Sequence, residues 1–248
     1  MIWMSGHSKW STIKRKKGKA DSARAKVFTK VGREISVAVK EGGADPANNS
    51  KLRDLIAKAK ANNVPNENID RIIKKASGDG NKNSYESITY EGYGPGGVAV
   101  IVETLTDNRN RTAADIRHYF DKFGGNLGTS GCVSFLFQEK GVLLIEGQAM
   151  DEDAMMEICL DAGAEDFEFS EQGVTVTTAP SEFSAVREQL EQNGYSFVSA
   201  QVEMLPNTFT RLETEEQKLK MRRLLDALEE NEDVQDVWHN LENEDELP

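Results

Sequence analysis

The sequence predicts an α+β chain of several domains: a three-helix domain at the N-terminus followed by two α/β domains, the last inserted into the middle one. Three observations point there. Its 248 residues exceed what one compact core usually holds and fit two or three small domains. Apolar residues recur with helical spacing as far as Ala76, and with period two after the stretch SGDGNKNS at 77–84. From Gly141 a unit ordered βαββαβ is nearly complete in itself, and the αβ pair that follows it has no partner nearby in sequence.

The elements follow in order. Across residues 1–20 no helical period exists; Gly6, Ser8, Ser11, Thr12 and Gly18 interrupt a run of Lys and Arg, which reads as a flexible arm that orders on binding. A first helix starts at Asp21 or Ser22, either of which can cap it. It puts Val27, Val31, Ile35, Ala38 and Val39 on one face, and Gly42 and Gly43 end it. Asp45–Pro46 signals a second helix with the apolar face Leu52, Leu55, Ile56 and Ala59, broken at Asn62, Asn63 and Pro65. A third carries Ile69, Ile72, Ile73 and Ala76 and stops at Gly78. Together these give a basic helical domain over 1–80.

After the linker, SITYEGYG and VAVIVETL read as strands around the turn GYGPGG. A helix runs from Thr112 to Phe123, and CVSFLFQ at 132–138 reads as the next strand. Then come the strand GVLLIEG, the helix DEDAMMEICLDAG, the strands DFEFS and GVTVTTA, the helix PSEFSAVREQLEQNG and the strand YSFVSAQVEML. That order is a ferredoxin-like split unit and defines an inserted domain at 138–206. Past Pro206, a helix with Met221, Leu224, Leu225 and Leu228 leads to the short apolar VQDVW. This pair completes the earlier β-β-α-β piece, giving a discontinuous α/β domain of 81–137 plus 207–248.

Charge sorts the possible functions. The chain carries 42 Asp and Glu against 30 Lys and Arg, a net −12. Residues 1–83 nevertheless hold 19 Lys or Arg and 8 Asp or Glu, a balance of +11, whereas 84–248 hold 11 and 34, a balance of −23. Such asymmetry points to a polyanion at the basic end. Within 229–246 stand nine acids and no Lys or Arg, a segment suited to solubility or to a basic protein partner. No run of 18 apolar residues suggests a membrane span, and MIWMSGHSKW lacks the apolar core of a secretory signal. Two cysteines, Cys132 and Cys159, make no disulfide framework, so the cytoplasm is the expected location.

Catalytic and metal chemistry find little support. His7, His118 and His239 lie far apart, and none sits beside Cys or Glu at metal-ligand spacing. GYGPGG lacks the Lys-Ser/Thr of a phosphate loop, and a strand follows it, so it reads as a tight turn. The expectation is therefore no enzyme, no metal and no cofactor. Nucleic-acid chemistry is better represented. Lys9, Lys14, Arg15, Lys16, Lys17, Lys19, Arg24, Lys26 and Lys30 can neutralise phosphates. Trp10 lies among them, placed either to stack on an unpaired base or to staple onto the first helix. A second cluster, TDNRNRT, puts Asn108, Arg109, Asn110 and Arg111 at a strand-to-helix turn, where they can cap the helix or offer donors to phosphate.

Three segments carry a resemblance: GHSKWSTIKRKKGKADSARAKVFTK, YEGYGPGGVAVIVETLTDNRNRTAADIR and GGNLGTSGCVSFLF. They resemble the YebC/PmpR family of conserved bacterial proteins, whose mitochondrial relative is the translational activator of cytochrome c oxidase subunit I. The family start Met-Ala/Ser-Gly-His-Ser-Lys-Trp aligns with Met4, and Met1–Trp3 stand ahead of it. The resemblance implies a helical domain and two α/β domains, the third inserted in the second, with no enzyme activity and no cofactor. It implies a DNA-binding transcriptional regulator, or, as for some members, a ribosome-associated factor that eases translation of difficult stretches such as proline runs. The expected partners are thus DNA or ribosomal RNA, and the ribosome, with no membrane and with a monomer favoured. Charge alone does not separate DNA from RNA. Three short helices allow a helix-turn-helix but mark no distinct recognition helix.

Overall fold

A computed structural model describes residues 22–78, 85–147 and 152–248, with the backbone alone for Ser22–Ala25. Helix α1 runs Ser22–Gly42, α2 Ser50–Ala61 and α3 Asn66–Ser77. The end of α1 is set by Gly43, which takes a left-handed φ of 86° and returns its N–H to the Val39 carbonyl. Helix α2 begins later than Asp45–Pro46 suggests. The Asp45 carboxylate instead accepts from the Ala47 N–H and closes a turn, and Asn49 caps the helix by accepting from the Leu52 N–H. Asn49 also donates to the Ala38 and Gly43 carbonyls, so one buried amide ties the end of α1 to the start of α2.

The remaining elements are β1 (Glu86–Tyr93), β2 (Ala99–Thr106), α4 (Arg109–Lys122), β3 (Asn126–Leu127), β4 (Phe137–Glu146), α5 (Glu152–Ala162), β5 (Asp166–Ser170), β6 (Gly173–Thr178), α6 (Phe183–Gln192), β7 (Ser199–Pro206), α7 (Glu215–Glu230) and β8 (Val234–His239). They build two four-stranded antiparallel sheets, ordered β3-β1-β2-β8 and β5-β6-β4-β7. The architecture is α+β, a helical N-terminal region followed by α/β domains. The second sheet has the strand order of the ferredoxin-like split unit. It is inserted between β3 and β8 of the first, because β8 pairs antiparallel with β2 from Val100↔His239 to Thr104↔Val234.

The described chain forms two compact units. One holds α1 through Val37, the first sheet, α4 and α7; the other holds residues 38–77 and 139–204. In the first unit β2 lies between β1 and β8, and all but one of its residues are buried, as its near-continuous apolar run requires. Helices α4 and α7 bring Ile116, Phe120, Met221, Leu224 and Leu228 onto Val98, Val100 and Val102. A Thr214–Gln217 capping box starts α7. In the second unit α5 and α6 cover Leu143, Ile145, Val174 and Val176 with Met155, Cys159, Val186 and Leu190. There Arg187, nearly buried, bonds to Asp54 of α2 at 3.0 Å and to Glu191 at 2.7 Å.

One segment departs from expectation. CVSFLFQ is not a strand: Ser134–Leu136 make a 3-10 turn, and β4 starts only at Phe137. The backbone N–H groups of Val133 and Ser134, which a ladder would need, are taken by the Glu91 carboxylate.

Candidate nucleic-acid interface

The turn TDNRNRT joins β2 to α4, and its residues divide by duty. Asn108 caps α4, accepting from the Arg111 N–H at 3.1 Å. The helix therefore starts three residues before Thr112, and Arg109, Asn110 and Arg111 occupy its first turn. Two cations there oppose the helix dipole, so each needs an acid or a purpose. Arg111 has the acids: its Nη2 donates to Asp233 at 2.7 Å and to Asp107 at 3.0 Å, which raises its pKa further. Among the described residues Arg109 has one ion-pair partner, Glu86, at 3.4 Å, with both side chains more than half exposed. An exposed pair of that kind contributes about 0–1 kcal/mol. Asn110 is exposed beside it.

Asp233 organises the turn from a buried position. Arg33 of α1 donates to its Oδ1 at 2.8 Å, and the Thr112 and Thr106 hydroxyls reach its Oδ2 at 2.8 and 3.2 Å. Burial alone would raise the pKa of this carboxyl. The hydrogen bonds from Arg111, Thr112 and Arg33 outweigh burial and hold it below the ordinary value. Arg33 also donates to the Glu232 carbonyl at 2.9 Å, and Lys30 donates to that of Glu229 at 3.1 Å. Two cations of α1 thus satisfy carbonyls around the end of α7, where the helix dipole is negative. Lys30 is in this way engaged inside the fold.

Around Asp233 lies an open depression of about 300 Å³ lined by Arg33, Arg111, Asn231 and the carboxylates Asp107, Asp115, Glu232 and Asp233. Two guanidiniums against four carboxylates leave it net negative, which disfavours a phosphate inside it. Arg109 and Asn110 are the exposed members of the turn suited to meet one. The other proposed contacts divide as follows. Lys26 is half-buried on α1, and Arg24 lies on the same helix, in its backbone-only first turn. Lys9, Trp10, Lys14, Arg15, Lys16, Lys17 and Lys19 lie outside the described residues.

The acidic C-terminal segment is not a solvated tail. Asp233 pairs with two arginines, and Glu244 is buried. Glu246 bonds to Lys218 at 2.7 Å, to Asn243 at 2.9 Å and to Arg211. The Lys218 bond foremost, with Asn243 and Arg211, holds the Glu246 carboxyl down to about 2.

A second buried carboxylate escaped the sequence reading. Glu91 of β1 accepts from the backbone N–H groups of Gly131, Val133 and Ser134 at 2.8, 2.9 and 2.8 Å. Burial works to raise its pKa, and the three backbone donors outweigh it. Its own carbonyl accepts from the Gly128 N–H, and the Tyr93 hydroxyl donates to the Cys132 carbonyl. Gly131 sits at φ 86°, and a Cβ on Gly128 would lie 2.4 Å from the Cys132 Sγ. The glycines of GTSG are the local signal of such a loop, because consecutive backbone donors converge on an anion only in tight turns.

Among the described residues no group of three or more His, Cys, Asp or Glu is placed to hold a metal ion, and both cysteines are free. No helix among them is long and apolar enough to cross a membrane.

Comparison with known proteins places this geometry. Residues 8–79 match the family model described as the TACO1/YebC protein N-terminal domain, and residues 85–241 the one described as the TACO1/YebC second and third domain. A protein of Ruminiclostridium cellulolyticum named a probable transcriptional regulatory protein is 59% identical over 244 residues, 98% of each chain. One of the same name from Acetivibrio thermocellus is 58% identical over 96% of this chain and 98% of its own. The crystal structure of a conserved hypothetical protein from Aquifex aeolicus superposes with a TM-score of 0.81 at 44% identity, covering 91% of this chain and 93% of that one. The chain belongs to the TACO1/YebC family.

Proposed function

We propose that the chain is a non-enzymatic, nucleic-acid-binding regulator of the cytoplasm that acts as a DNA-binding transcriptional regulator. The observation that carries the reading is the charge asymmetry: +11 over residues 1–83 against −23 over the rest. Within the acidic part, Asp233, Glu244 and Glu246 are tied into the fold. The names of the Ruminiclostridium and Acetivibrio relatives support the transcriptional role. Phosphate contacts come from Lys9, Lys14, Arg15, Lys16, Lys17, Lys19, Arg24 and Lys26, with Arg109 and Asn110 as a second point. Trp10 supplies a stacking face. Asn108, Arg111 and Lys30 hold the shapes that present them.

The test is the salt dependence of binding by the full chain. Replacing Lys14, Arg15, Lys16 and Lys17 with Ala should flatten the slope of log K against log salt by about 3.6 on duplex DNA and about 2.8 on a single strand. An unchanged slope removes the arm from the mechanism.

A second reading, a ribosome- or RNA-associated translation factor, is favoured by one feature. A helix-turn-helix reads bases with the start of its second helix. The corresponding start of α3 exposes Asn66, Glu67 and Asp70, and its two acids repel DNA phosphates. Crosslinking in cells with sequencing of bound RNA and DNA, beside sedimentation with ribosomes, separates the two. Promoter DNA without ribosomal RNA ends the translation reading.

A further inference from the structure

The loop held by Glu91 presents an aromatic side chain to solvent. Within GCVSFLF, Val133 and Phe137 are buried at 0% and 7% exposure, but Phe135 between them is 69% exposed, the most exposed of the large apolar side chains described. Tyr93, whose hydroxyl bonds to the Cys132 carbonyl of the same loop, is 38% exposed. Around them Gly128, Thr129, Ser130 and Gly131 are exposed and Ser134 is half-buried, so the residues flanking Phe135 on the loop carry hydroxyls and bare backbone and no charge.

Two physical points make this more than a stray apolar residue. Phe135 stays in water although it alternates with two core residues, and the backbone leading into it is fixed by a buried carboxylate through the N–H groups of Gly131, Val133 and Ser134. A loop so fixed presents the ring with little conformational entropy left to lose on binding. The chemistry of the surroundings selects the ligand. Residues 128–137 hold no cation, so the loop offers a phosphate no charge to pair with. A flat ring, small residues that allow close approach, and hydroxyls that both donate and accept suit the face and edge of a nucleobase that is out of its stack.

We infer that Phe135 is a stacking platform for an unpaired base of RNA, with the exposed Thr129 and Ser130 hydroxyls at the base edge. RNA is the source because its loops and single strands offer splayed bases, whereas duplex DNA keeps them stacked. The inference rests on the nucleic-acid-binding reading above. It adds a contact that is independent of charge.

The experiment uses the full chain, a short mixed-sequence RNA strand carrying 2-aminopurine, its DNA equivalent and the matching duplexes. Phe135→Ala should weaken binding of the RNA strand by about 5- to 100-fold. It should leave the salt slope, the duplex affinity and the melting temperature unchanged. Phe135→Trp should restore affinity and quench the 2-aminopurine. Glu91→Gln, which frees the loop, should lower that quenching. Equal RNA affinity for Phe135→Ala and the parent chain overturns the inference, as does a larger loss on the DNA strand than on the RNA strand. If the arm substitutions flatten the slope while Phe135→Ala changes nothing, only the platform fails. If neither changes binding, the nucleic-acid reading fails with it.

Discussion

Asp233 and Glu91 are both buried carboxylates with lowered pKa values, yet they stabilise their charge by opposite means. Asp233 is surrounded by side chains: Arg33, Arg111, Thr106 and Thr112 converge on it from α1, β2 and α4. Glu91 is held chiefly by backbone, three N–H groups together with the Ser134 hydroxyl, all from one loop. The first arrangement consumes cations that the sequence had offered to a ligand. The second consumes none, and it leaves Thr129, Ser130 and Phe135 of its loop exposed. The cations of TDNRNRT are therefore weaker evidence of a binding surface than their number suggests, because the fold consumes one of them.

Acid should break both regions at once and gives the largest expected effect. The folded pKa values of Asp233 and Glu91 lie below the ordinary 3.8 and 4.5. Their stabilisation is complete above those values and is lost as pH falls through the folded ones. Thermal melting followed by circular dichroism should drop steeply below pH 4.5, and a flat profile down to pH 2 would deny both roles. Asp233→Ala acts on one region alone. It strands two guanidiniums and two hydroxyls, and it should cost about 3–5 kcal/mol in urea denaturation, the range for breaking a buried ion pair. Glu91→Gln puts an amide donor among three backbone donors and should cost about 1–3 kcal/mol, with faster hydrogen exchange confined to residues 128–136. Gly131→Ala strains a residue at φ 86° and should cost about 1 kcal/mol. Smallest is Arg109→Ala, which should change stability by less than about 0.5 kcal/mol while weakening nucleic-acid binding. A larger loss of stability would make Arg109 structural like Arg111.

The sequence showed the order of elements because their periods are local. Val27, Val31 and Ile35 mark a helix, and the alternation in GVTVTT marks a strand, whatever they pack against. It misread what distance decides. CVSFLFQ alternates apolar residues as a strand does, and nothing within it says that a glutamate some forty residues earlier will take its N–H groups. Arg109 and Arg111 look alike in TDNRNRT, and only Asp233, more than 120 residues on, separates their duties. The acids of 229–246 likewise read as a segment for solubility or for a basic protein partner, because Arg33, Arg211 and Lys218, which pair with Asp233 and Glu246, lie elsewhere in the chain. One clue was local: Thr106, Arg111 and Thr112 form a knot of donors, and such a knot calls for an acceptor nearby.

The pairing of β8 with β2 has a consequence for synthesis. Chains emerge from the N-terminus at about 5–20 residues per second, so the second sheet, complete at Pro206, can close while the first still lacks its last strand. Arg33 and Arg111 leave the ribosome long before residue 233 is made, and until then neither has the carboxylate that later holds it. The nascent chain thus carries both cations without the buried acceptor they will share, Arg111 having only Asp107 beside it in sequence, near the very polymer, rich in phosphate, on which it is being built.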